Sequence, residues 1–164
     1  MVTKEEFIQL VKDNRKLIYK VCHAYCKDDE KRRDLEQEIL LQTWKSIDKY
    51  DGRVKITTWM YKIALNTAIR CFRDDCKHST NRTDINASII SLPDFENDVE
   101  TREQLNLLYA FIETLKEMDK ALILLYLDDH KYKEIAEILG ISETNVATKI
   151  NRIKSQLKEH FTNY

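Results

Sequence analysis

The chain has 164 residues, 43% of them apolar and 34% charged, a formal net charge of −1, two Gly and one Pro. This length allows one sizeable core or two small ones, and so few chain breakers among many Leu, Ile, Lys and Glu predict an all-α protein. No apolar run approaches the roughly 20 residues that cross a bilayer, and the start, MVTKEEFIQLV, lacks the basic-then-apolar layout of a signal peptide; a cytoplasmic protein with no membrane insertion is expected.

Helical periodicity first runs over residues 4–26 and then over residues 31–50. In the second stretch Leu35, Ile39, Leu40, Thr43, Trp44 and Ile47 share a core-facing side, and Asp34, Gln37, Glu38, Leu41 and Lys45 point outward. An acidic, partly apolar outer face suits a protein partner better than DNA, although spacing alone also describes a solvated face.

Residues 50–55, YDGRVK, form a turn carrying the cations Arg53 and Lys55, placed where a loop can cup an unstacked base. The helix predicted over 57–77 sets Trp59, Met60, Ile63, Ala64, Thr67, Cys71 and Phe72 on an apolar side. Opposite them, Lys62, Asn66, Arg70, Arg73 and Lys77 lie within roughly 80° of arc. Such a stripe, about 15 residues long at 1.5 Å each, can track several phosphates and still offer an amide to a base. Solvated helices are commonly rich in Lys and Arg, so it is the adjoining loop that favours nucleic acid. Trp59 and Tyr61 are candidates for base stacking, with Trp59 on the side that faces the core.

Periodicity fails over residues 79–100, which hold the Pro, many Ser, Thr, Asn and Asp, and one apolar run at 89–92; the segment reads as a flexible interdomain linker. Charge follows the same division: 17 basic against 13 acidic residues over 1–80, 2 against 6 over 81–104, and 8 against 9 over 105–164. DNA affinity therefore has to come from local basic faces, and weak binding by the isolated chain at physiological salt is expected.

Residues 132–161 read as two short helices bent at Gly140, a helix-turn-helix. Ile135, Ala136 and Leu139 form one apolar stripe, and Val146, Ile150, Ile153 and Leu157 the other. Gly140 suits a left-handed helix end, and Ser142 suits the N-cap of the second helix, with Asn145 where Glu or Gln would complete a capping box. Asn145, Thr148, Lys149 and Arg152 share the opposite face of that helix, which fits a major groove, although a solvated face has the same spacing.

The four cysteines stand as Cys22 and Cys26, one helical turn apart beside His23, and Cys71 and Cys76, near His78. Neither CxxC nor HxxxH spacing is present, so small apolar thiols are expected rather than a zinc site or a disulfide.

Taken together, DLEQEILLQTW at residues 34–44, YDGRVKITTWMYKIALNTAIRCF at residues 50–72 and YKEIAEILGIS at residues 132–142 resemble the extracytoplasmic-function (ECF) sigma factors of bacterial RNA polymerase. Residues 15–77 are similar to the family's promoter-melting domain and residues 105–161 to its promoter-binding C-terminal domain. The resemblance implies two small helical domains, 1–78 and 101–164, joined by the linker at 79–100, the C-terminal one a helix-turn-helix. It implies a subunit that binds core polymerase, directs it to promoters and opens the DNA. Residue by residue, Asp34, Gln37 and Glu38 match the stretch that docks on polymerase. Arg53 and Lys55, in the loop, and Lys62, Asn66, Arg70 and Arg73 match the part that captures the minus-ten element. Ser142, Thr144, Asn145, Thr148, Lys149 and Arg152 match the reader of the minus-thirty-five element.

The chain departs from the family where Leu115 is followed by Lys116 instead of a frequent Pro, so Asp119 is expected to cap that helix, and where Lys131 replaces a frequent Ser. The resemblance further implies an anti-sigma partner, no cofactor, and a monomer when free. A stand-alone regulator would need a dimerising element, and no heptad tail is present. An enzyme would need a phosphate loop, nucleophile elbow or HExxH motif, and the chain has none.

Overall fold

Thr3 starts the first helix with a closed capping box, its hydroxyl accepting from the Glu6 N–H (3.2 Å) while the Glu6 carboxylate accepts from the Thr3 N–H (2.8 Å). The computed structural model describes residues 1–74 and 99–162, and the chain divides into two units, Met1–Asp94 and Phe95–Tyr164. Every regular element among the described residues is a helix. Of the expected linker, residues 79–98 lie outside the described residues, and Val99 already begins a helix.

In the first unit the single helix expected over 4–26 is two, α1 (Lys4–Asp13) and α2 (Arg15–Tyr25). The break is at Asn14, whose side-chain amide donates to the Leu10 carbonyl (2.9 Å) and whose backbone leaves the helical region. A short polar side chain here competes with the helix for its own backbone. Helix α3 (Asp29–Ser46) begins earlier than its apolar pattern because Asp28 caps it, Oδ1 accepting from the Glu30 N–H (2.9 Å). It ends in a 3₁₀ turn, Ile47–Lys49, before the loop that leads to α4 (Ile56–Asp74).

Helices α2, α3 and α4 pack on one another around Ile18, Val21, Leu35, Ile39, Leu40, Met60, Ala64, Leu65 and Ala68. Each fully buried large aliphatic contributes about 1.5–3 kcal/mol relative to exposure. Because α3 and α4 each meet two neighbours, their buried arcs are wider than one stripe. Leu41, expected to face outward, is therefore buried, and Tyr61, a stacking candidate, is only 2% exposed and cannot reach a base. Phe72, expected inside, is 46% exposed.

The second unit holds α5 (Val99–Glu113), α6 (Glu117–Leu127), α7 (Tyr132–Leu139) and α8 (Glu143–Thr162). Helix α6 meets α5, α7 and α8, and its residues 120–125 are buried throughout. Asp119 does not cap this helix: the cap is Lys116, with no side-chain bond, and Asp119 lies inside the first turn. Ile138 is buried beside Ile135 and Ala136, and Leu139 is half-buried. Val146, Ile150 and Ile153 return the contact from α8.

Candidate DNA and polymerase interfaces

The loop before α4 is closed by its own side chains. The Tyr50 hydroxyl donates to the Val54 carbonyl, and Asp51 accepts from both the Arg53 N–H (3.0 Å) and the Arg53 side-chain Nε (3.2 Å). Gly52 takes a left-handed φ of +80° that allows so tight a turn. Arg53 and Lys55 are exposed, and the Tyr50 and Trp59 rings lie 5.2 Å apart, with Trp59 half-buried. On α4 the four described positions of the polar stripe, Lys62, Asn66, Arg70 and Arg73, are all exposed. Lys77 lies outside the described residues.

The expected polymerase residues lie on α3 and are half-buried. Asp34 lines a cavity of about 550 Å³ together with Tyr25, Leu35, Ala68 and Phe72. Glu38 is drawn toward α4 instead: its Oε1 accepts from Arg70 Nη2 (3.2 Å) and from Gln42 Nε2 (2.9 Å). The carboxylate is 16% exposed and the guanidinium side chain 54%. Two surfaces that the sequence assigns to different partners thus share an ion pair, and Gln42, one helical turn on from Glu38, supports it.

In the helix-turn-helix, Gly140 has φ +70° and its N–H, with that of Ile141, returns to the Ala136 carbonyl. The Ser142 hydroxyl accepts from the Asn145 N–H (3.1 Å), the expected N-cap. Ser142, Thr144, Asn145, Thr148 and Arg152 are exposed and Lys149 is half-buried, so the polar face survives folding. Two of its members are engaged within the protein. The Thr148 hydroxyl donates to the Thr144 carbonyl (3.0 Å), and Arg152 Nη2 lies 3.0 Å and 2.9 Å from the two oxygens of Asp119 on α6. Lys154 sits over the Tyr126 ring of α6, 5.0 Å from its centroid, and the Tyr126 hydrogen bond raises its pKa.

Cys22 is buried and Cys26 half-buried, both as thiols. Burial, then Glu36 and Cys26, push the Cys22 pKa well up, so Cys22 is a poor nucleophile. Cys71, by contrast, is disulfide-bonded, which corrects the expectation of thiols throughout; Cys76 and His78 lie outside the described residues. His23 stacks on Tyr19 at 3.9 Å, and burial followed by Arg32 lowers its pKa to about 4. Glu36 is raised to about 7 by burial, against an opposing pull from Arg33. Among the described residues no group of three His, Cys, Asp or Glu side chains is arranged to hold a metal, and no helix is long and apolar enough to cross a membrane.

Two family models match the chain in the order of its units: sigma-70 region 2 over residues 10–77 and sigma-70 region 4 over residues 105–157, together more than half of its length. The chain belongs to the sigma-70 family. Within that family the ECF group matches it over nearly its whole length. The ECF sigma factor SigW of Bacillus subtilis is 27% identical, covering 95% of this chain and 89% of the relative, and SigM of the same organism is 27% identical over 96% and 94%. The sigma-E factor of Escherichia coli is 25% identical over 76% and 70%. In fold, this sigma factor is similar to CnrH in its complex with the cytosolic domain of CnrY (TM-score 0.68, 18% identity, 98% of this chain and 90% of that one). It is also similar to RpoE of Bartonella quintana in complex with the anti-sigma factor NepR (TM-score 0.66, 17% identity, 97% and 96%).

Proposed function

We propose that the two polar helix faces of this sigma factor divide promoter recognition between them. As a sigma-70 factor of ECF type, the chain binds core RNA polymerase, directs it to specific promoters and helps open the DNA. Residues 1–78 act on the minus-ten element, through Arg53, Lys55, Lys62, Asn66, Arg70 and Arg73, and meet polymerase through Asp34, Gln37 and Glu38. Residues 101–164 act on the minus-thirty-five element through Ser142, Thr144, Asn145, Thr148, Lys149 and Arg152, and residues 79–100 connect them.

One observation carries this assignment: each unit keeps one exposed helix face that combines cations with amide or hydroxyl groups, on α4 and on α8, within the stretches matched by regions 2 and 4. Opening DNA needs no covalent chemistry from the chain; it needs unstacked bases to be held, each worth about 1–3 kcal/mol when stacked or pocketed. An anti-sigma protein is the natural regulatory partner, since RpoE, similar in fold, is solved with one. The site of action is the cytoplasm, where polymerase and promoter are.

The test is co-elution of the full chain with bacterial core RNA polymerase on size exclusion, for wild type and for an Asp34→Ala, Gln37→Ala double variant. Glu38 is left intact because it also holds Arg70. Wild type is expected to co-elute and the variant to co-elute less; free elution of both, folded by circular dichroism, overturns the reading.

A further inference from the structure

Arginine recognises a guanine edge by presenting two parallel N–H donors, and both ways of doing so, end-on through Nη1 and Nη2 or side-on through Nε and Nη2, require Nη2. In this chain Nη2 of Arg152 is held between Oδ1 and Oδ2 of Asp119 at 3.0 Å and 2.9 Å. Asp119 is well sheltered, its side chain 13% exposed against 51% for Arg152, so water competes poorly for the carboxylate. The two residues are 33 positions apart and join α6 to α8, helices that already pack together. The carboxylate thus sits against the one nitrogen that both parallel pairs share, and competes with a guanine edge for it.

We propose that Asp119 competes with DNA for Nη2 of Arg152, so that this cation anchors a phosphate instead of reading a guanine edge. Asp119 is then a positioning residue that sets specificity through Arg152. Its negative charge also offsets one positive charge on the DNA-facing side of α8, which holds down affinity for unrelated duplex. The inference rests on the reading of α8 as the minus-thirty-five reader.

The experiment uses the full chain assembled with core polymerase. A duplex selected from a pool randomised over the upstream element is compared with one in which that element is scrambled, across a salt titration. Asp119→Asn is expected to tighten binding to the scrambled duplex several-fold, to lower the ratio of selected to scrambled affinity, and to steepen the salt dependence, because one negative charge leaves the DNA-facing side. A fresh selection with this variant should show a guanine preference at one position that wild type lacks. Asp119→Asn combined with Arg152→Ala should show no such guanine preference, as Arg152→Ala alone. A purely structural role for Asp119 predicts the opposite, weaker binding to both duplexes in proportion. If Arg152→Ala weakens binding while Asp119→Asn changes neither ratio nor slope, the proposal fails and the reading of α8 stands. If Arg152→Ala also changes nothing, that face of α8 is not at DNA and both fail.

Discussion

Glu36 is a carboxylate that the fold makes uncomfortable: burial raises its pKa to about 7, and its buried Oε1 has no hydrogen-bond partner. An acid whose folded pKa lies above its unfolded value of 4.5 favours folding below that value, and the contribution is lost as pH rises through about 7. His23 works the other way, since its folded pKa of about 4 lies below 6.5, so its contribution is present above 6.5 and lost as pH falls toward 4. Glu36→Gln is therefore expected to stabilise the protein at neutral pH and above and to do little near pH 4.5. After discounting for partial exposure the gain is about 1–2 kcal/mol. Urea unfolding at several pH values checks this, and equal shifts at all pH values would exclude titration of Glu36 as the cause. Gly140 is the other residue whose role is local. Its φ of +70° is unfavourable for a side chain although nothing lies within 4 Å of a Cβ built there. Gly140→Ala should cost about 1–2 kcal/mol through backbone strain alone, read as a lower midpoint with unchanged helix content.

At the scale of elements, α4 and α3 are joined by Arg70 and Glu38, the guanidinium more exposed than the carboxylate. Exposed ion pairs contribute about 0–1 kcal/mol, and the larger consequence is geometric: Glu38 sets where Arg70 can point. Asn66→Ala with Arg70→Ala is expected to leave polymerase co-elution intact and to reduce promoter opening. Permanganate reactivity of unpaired thymines on linear and supercoiled templates checks it, and unchanged reactivity on both would remove these residues from the mechanism. The sequence had shown the stripe itself, because period 3.6 separates Lys62, Asn66, Arg70 and Arg73 from the apolar side. It did not show which neighbouring carboxylate meets the stripe, because Glu38 is 32 positions away and nothing local links the two. Amphipathic spacing likewise understates the buried arcs at Leu41 and Tyr61, because it assumes one partner per helix, and α3 and α4 have two.

For the whole molecule, a net charge of −1 gives no general attraction to DNA, and one arginine of each proposed face is paired with a carboxylate within the protein, Arg70 with Glu38 and Arg152 with Asp119. The isolated chain is expected to bind promoter duplex weakly at physiological salt, and addition of core polymerase to raise the affinity by orders of magnitude. Fluorescence anisotropy with and without polymerase measures this; tight binding by the free chain would favour an independent regulator.

By itself the sequence determined the helical class, the family, the order of the two matched regions, the polar faces of α4 and α8, the Gly140 bend and the Ser142 cap, because all of these depend on local spacing or on residues a few positions apart. Tertiary structure alone decided that two of the proposed DNA-facing cations are held by distant carboxylates, Arg70 through Glu38 and Arg152 through Asp119. It also moved Asp119 from a helix cap to a partner of the proposed recognition helix, and buried Tyr61. These outcomes depend on which helices come together, and a pairing across more than thirty residues leaves no periodic trace in either segment.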